Sequence, residues 1–233
     1  MNYVDLSYHY SLPQNHFACP KYLVSEISRE IEYAASTEFY DSLFDYTYSK
    51  ICNVLDLKYR PVEWASDLNG SNKFITVTKF NINDEFVTFN DEKLENIDNY
   101  LELQLHLLLI DIFGGNFYED EICGIISDNI FYKMFNSSTF FEFEASMWMS
   151  DQKQEISKTF FKSDILSTLY DLDKDILLEM QSFINKFLSI TVKEWHEILD
   201  YPDTPRHHKL KVWIVEKLTY SQNEIKKIGR AHV

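Results

Sequence analysis

The side chains able to do chemistry occur here as short, isolated groups. His207-His208 offers two adjacent imidazoles, Glu119-Asp120-Glu121 three adjacent carboxylates, and Gly114-Gly115 the only glycine pair. Three adjacent carboxylates cannot all converge on one hard cation, so the acidic triplet reads as a solvated turn. The two histidines read as a solvated first helical turn, and the glycine pair as a helix stop. Cys19, Cys52 and Cys123 lie far apart without a C-x-x-C spacing, which supports neither a zinc site nor a disulfide framework. No H-E-x-x-H, G-x-S-x-G, G-x-x-x-x-G-K-[ST] or G-x-G-x-x-G occurs. With 5 glycines in 233 residues, a backbone loop that cradles phosphates lacks the residues for close approach.

The elements that must position such groups belong to a folded, acidic body. Hydrophobic residues make up 45% and aromatics 16%, which excludes intrinsic disorder. A net charge of −15 argues against a surface built to neutralise phosphates, so no nucleic-acid partner is expected. The most apolar stretch, Leu101 to Phe113, is interrupted by Glu102, Gln104, His106 and Asp111 and is too short and polar to span a bilayer. Met1 to Leu12 lacks the basic start and apolar run of a signal peptide. A cytoplasmic protein without a membrane partner is expected. Residues 228–233 resemble the translation of a sequencing-adapter oligonucleotide and are read as a non-native tail, with the natural chain continuing past Lys227.

Along the chain, Lys21–Val24 and Glu30–Ala35 have strand character and pair through Ser28-Arg29. Asp45 to Leu57 reads as a helix, with Tyr48, Ile51, Cys52 and Leu55 on one face. An extended segment from Leu57 to Trp64, an Asn69-Gly70 turn, and strands at Phe74–Phe80 and Glu85–Phe89 follow. Asn90 is placed to cap a helix running through Phe113. Two or three short strands are expected between Ile122 and Phe143. An amphipathic helix then carries Ile176, Leu177, Met180, Phe183, Ile184, Phe187 and Leu188 on one face. Thr191-x-x-Glu194 is a capping box, and Thr204-Pro205 opens a last helix through Leu210, Trp213, Ile214 and Leu218. The fold class is α+β: a small sheet-containing lobe over 1–89 and a mainly helical lobe over 90–227.

The order of these segments resembles the HipA-like branch of the protein-kinase-like superfamily. Lys21-Tyr-Leu-Val and Tyr33-Ala-Ala-Ser36 resemble paired strands of its small lobe, and Asp45 to Leu57 its first helix. Tyr59-Arg-Pro-Val-Glu-Trp-Ala65, Asn69-Gly70 and Thr76–Phe80 follow in the family's order. Leu109-Ile-Asp-Ile-Phe-Gly-Gly-Asn116 resembles the helix end before the catalytic loop, Phe141-Glu-Phe-Glu-Ala-Ser146 the metal-binding segment, and Asp173 to Lys227 the C-terminal bundle. The resemblance implies a two-lobed, protein-kinase-like fold.

The departures shape what it implies about function. Phosphoryl transfer needs positive charge on the nucleotide phosphates, a base for the acceptor hydroxyl, and ligands for Mg²⁺. Alignment to the family puts Ala35 at its phosphate-binding lysine, Asp45 at the glutamate partner, Tyr118 at the base and Cys123 at the metal-ligand asparagine. Glu142 stands for the metal-binding aspartate, and Asn116 matches outright. A phenol titrating near pH 10 does not act as a base at neutral pH. The resulting expectation is a pseudokinase acting as a binding or regulatory module with an unidentified protein partner. The enzymatic alternative is an atypical Ser/Thr kinase using ATP and Mg²⁺, with Asp120 as base and Asn116 and Glu142 on the metal. A third reading is an α+β interaction protein outside the kinases.

Overall fold

The computed structural model describes residues 3–12, 21–35, 39–66, 74–81, 83–88, 92–113, 122–136 and 174–231. The chain divides into two compact units: Met1–Tyr100 with Phe117–Thr139, and Leu101–Asn116 with Phe140–Val233. The sheet-containing N-terminal region and the helical C-terminal region make an α+β protein. The hairpin at 122–136 lies in the first unit, on the far side of the division drawn at residue 89 from sequence.

The first unit holds two sheets. Strands β1 (His9–Ser11), β2 (Lys21–Ser25), β3 (Ile31–Ala35), β4 (Val62–Ser66) and β5 (Phe74–Lys79) pair in the order β1-β2-β3-β5-β4. The expected β2–β3 hairpin forms, with Arg29 in the left-handed region at φ 62° and Ser25 N–H donating to Glu30 at 3.0 Å. Strand β1 was not foreseen; it is three residues long, flanked by Glu26 N–H on Tyr8 O and Leu12 N–H on Tyr22 O. Helix α1 (Phe39–Leu55) begins six residues before the expected Asp45. It ends with Asp56 at φ 61° and Leu57 N–H on Cys52 O, the 6→1 bond of a Schellman motif.

β6 (Glu85–Thr88), β7 (Ile122–Ser127) and β8 (Ile130–Asn136) make the second, three-stranded sheet. Asp128 and Asn129, both at positive φ, form its two-residue turn, as a primed hairpin turn requires. At Gly124 a Cβ would collide with the Phe131 ring and lie 2.7 Å from the Tyr132 carbonyl, so only glycine lets β7 and β8 approach this closely. The helix expected from Asn90 is corrected. A 3-10 turn covers Glu92–Asn96, and α2 starts at Tyr100. The intervening Asn99 is held by β8: its Nδ2 donates to Phe131 O at 2.9 Å, and Phe131 N–H donates to its Oδ1 at 2.8 Å. The backbone is diverted one residue earlier, where Asp98 N–H donates to Asn129 O at 3.0 Å instead of to a helical carbonyl.

Packing separates the two faces of the five-stranded sheet. Leu6, Leu23, Ala35, Ala65 and Val77 form one buried apolar cluster, with Val4, Tyr33 and Ile75 against it. Val4 N–H donates to Trp64 O at 2.9 Å, which fastens this N-terminal segment along β4. Ala34 belongs to another cluster with Ile125, Tyr22, Phe80, Phe86 and Tyr132, joining the two sheets.

In the second unit, α2 (Tyr100–Phe113), α3 (Lys174–Ser189), α4 (Val192–Ile198) and α5 (Pro205–Ala231) are described. Met180, Phe183 and Phe187 are buried on the predicted face of α3. The Thr191–Glu194 capping box is present on α4. Thr204 receives the His207 N–H at 3.2 Å at the start of α5, and Leu210, Trp213, Ile214 and Leu218 are buried as the periodicity requires. Gln222 Nε2 donates to Phe187 O at 2.7 Å and Ile190 O at 2.9 Å, satisfying carbonyls that the end of α3 leaves open. Among the described residues no helix is long and apolar enough to cross a membrane.

Candidate functional site around Asp45

The candidate site is read from the alternation of β3. Facing residues of neighbouring strands share a sheet face. Ala34 opposes Thr78, which opposes Val62, and Thr76 opposes Trp64. These residues lie on the face that α1 covers, because Thr76 N–H donates to Ser42 Oγ at 3.2 Å and Thr76 Oγ1 to Asp45 Oδ2 at 3.4 Å. Ala35 opposes Val77 and lies on the other face. Ala35 and Asp45, paired in the sequence alignment, therefore sit on opposite sides of the sheet. The residue of β3 that shares a face with Asp45 is Ala34.

Asp45 is 1% exposed, a position a carboxylate tolerates only when its oxygens are hydrogen-bonded. Tyr59 Oη donates to Oδ1, and Thr76 Oγ1 approaches Oδ2. Burial, and then the charge of Asp45, push the Tyr59 phenol well above its ordinary range. Tyr48, one turn after Asp45, lies 5.4 Å from the Tyr59 ring between centroids, and burial raises its phenol well above the usual value too. Tyr46 packs at 5.0 Å on Trp64. The neighbourhood is a buried, hydroxyl-rich pocket walled by aromatic rings.

One charged residue here escaped the sequence reading. Lys133 on β8 is completely buried, and its ammonium lies 6.0 Å from the Tyr48 ring centroid. β8 passes α1 because Tyr59 bridges to Lys133 and Arg60 N–H reaches Lys133 O at 3.4 Å. The available signal was a lone lysine inside the apolar run Ile130-Phe-Tyr-Lys-Met-Phe135. Nearby, Arg60 pairs with Asp84 at 2.6 Å and stacks 4.8 Å over Tyr132.

The other predicted positions are less visible. Cys123 is on β7, opposite Thr88 in the ladder. Asn116, Tyr118, Asp120 and Glu142 lie outside the described residues, as do Gly114-Gly115, Glu119, Glu121, Cys19 and the Asn69-Gly70 turn. Cys52 is a buried thiol outside any disulfide. His207 is buried with Nδ1 2.8 Å from Thr204 Oγ1, and burial, with help from Arg206 and His208, lowers its pKa to about 4. Among the described residues no three His, Cys, Asp or Glu side chains gather as a metal site.

No family model matches the chain, and no curated protein matches it significantly. Among solved structures, the crystal structure of a Helicobacter pylori proinflammatory kinase, CtkA, matches with a TM-score of 0.57, covering 95% of this chain and 94% of that one. The chain has a kinase-like fold. At 14% identity the likeness is one of fold alone.

Proposed function

We propose that this chain is a divergent HipA-like member of the kinase-like fold and a pseudokinase, working as a binding or regulatory module with a protein partner. One observation carries the reading: the β3 residue on the sheet face that carries Thr76 is Ala34, while hydroxyls of Tyr59 and Thr76 engage the Asp45 carboxylate. In protein kinases a lysine on the corresponding strand pairs with a helix glutamate and holds the nucleotide phosphates. Shifting the alignment by one residue does not restore it, since Ala35 is also alanine. Losing such a phosphate contact removes orders of magnitude in rate, because catalysis of this class is largely positioning and charge stabilisation.

The test is an autophosphorylation assay with labelled ATP and Mg²⁺ on the full chain, read by mass spectrometry and by radiolabel. No turnover is expected. Robust phosphate incorporation that disappears on Glu142→Ala would instead establish the atypical Ser/Thr kinase, with Asp120 as base and Asn116 and Glu142 on the metal. The buried ammonium of Lys133 beside α1 is the observation that keeps this second reading in play, as a cation supplied from another strand. Under it, Lys133→Met abolishes a thermal shift with ATP and Mg²⁺. Under the pseudokinase reading no such shift occurs in the parent chain.

A further inference from the structure

Val4 and Leu6 lie over Ala35, Ala65 and Val77. Residues 30–33 at the start of β3 and 79–81 at the end of β5 line a groove of about 650 Å³. Tyr33 and Lys79, direct cross-strand partners, form its floor.

The charges around it are lopsided. Glu30 and Glu32 stand in the wall against the single ammonium of Lys79, and Glu63, opposite Val77, projects from the same face. Glu32 is held in place by His9, whose Nε2 lies 3.0 Å from its Oε2, and by the Ser28 hydroxyl at 3.2 Å. The His9 bond is the main reason the Glu32 carboxyl titrates below its ordinary value, so this carboxylate stays ionised at neutral pH. The Tyr33 phenol is raised by burial and then by the charges of Glu32 and Glu63. His9 itself packs edge-on to Tyr33 at 5.4 Å, and its Nδ1 is buried with no hydrogen-bond partner.

We propose that this groove docks an arginine-bearing extended segment of a protein partner, with the guanidinium at the Glu30 and Glu32 carboxylates and its stem over Tyr33. A planar guanidinium matches paired carboxylates through its fork of donors and stacks on an aromatic face, which an ammonium does less well. The proposal rests on the binding-module reading and names the partner's chemistry at one surface.

A fluorescein-labelled Ala-Arg-Ala-Arg-Ala peptide, with its lysine and glutamine counterparts, titrated against the full chain by fluorescence anisotropy, tests it. The arginine peptide binds tightest and the glutamine peptide not measurably. Glu30→Lys/Glu32→Lys weakens binding about tenfold, and Lys79→Glu tightens it about threefold. The control Glu197→Lys/Glu216→Lys makes the same change in net charge on exposed positions of α4 and α5, and shifts affinity less than about twofold. Equal weakening by the control, no tightening by Lys79→Glu, or no binding of the arginine peptide overturns the proposal. The Lys79→Glu arm decides the matter even if the double reversal does not fold. The titration contains no nucleotide, so its failure leaves the phosphotransfer test untouched.

Discussion

The two faces of the five-stranded sheet bury alanines one residue apart, Ala35 in one apolar cluster and Ala34 in another. Ala35 sits in a buried apolar cluster with Leu6, Leu23, Ala65 and Val77. Ala34 sits on the side where α1 brings Ser42 and Asp45 to Thr76. The difference teaches that a strand position has two addresses, its number and its parity. An ionic pair across a strand and a helix survives only where both agree, because a one-residue offset moves a side chain through the sheet.

The largest expected effect separates the faces directly. Ala35→Lys drives an ammonium into the apolar cluster and destabilises the chain by on the order of 3 kcal/mol or more. Ala34→Lys starts on the face that holds Asp45 and costs roughly half as much. Urea denaturation of both variants checks this, and equal losses would erase the distinction between the faces. Next comes Asp45→Asn, which removes the charged acceptor of Tyr59 and Thr76 and costs about 1–3 kcal/mol. It also brings the Tyr59 phenol part of the way down, since burial, the larger cause, remains; ultraviolet titration near 295 nm reads that shift.

The same pocket sets an alkaline limit. Tyr48 and Tyr59 titrate higher in the folded chain than the value near pH 10 of an unfolded one, so above that pH the unfolded state holds fewer protons. Their contribution to stability is complete below about pH 10 and declines as pH rises further, more shallowly in Tyr59→Phe. A melting-temperature series from pH 8 to 11 reports it. The smallest effect is Thr76→Val, isosteric on the α1 face and costing about 1 kcal/mol in the same denaturation assay. A loss as large as that of Asp45→Asn would mean that the hydroxyl, rather than the carboxylate, organises the pocket.

Signals that act within a few residues were legible in the sequence. The β2–β3 hairpin, the capping box at Thr191 and the start of α5 at Thr204-Pro205 each depend on near neighbours, and each is present. What failed to read depends on distant partners. Asp98 gives its backbone N–H to Asn129 O instead of lengthening α2, and Lys133 is buried because β8 passes α1. Of the candidate site, Asp45 and Ala35 were legible as residue types. Its geometry was not, because the face of a strand is defined by whichever helix comes to cover it.

The N-terminal segment bonded along β4 has a consequence for the order of events in folding. The β2–β3 hairpin closes over a short loop, whereas Val4 must wait for Trp64 and Ala65, which belong to the last sequence segments of that sheet. Closing so long a loop makes this contact slow relative to the hairpin. The cluster around Ala35 thus receives its cover late. Until then the chain carries a bare apolar sheet face, and that interval is when self-association competes with folding.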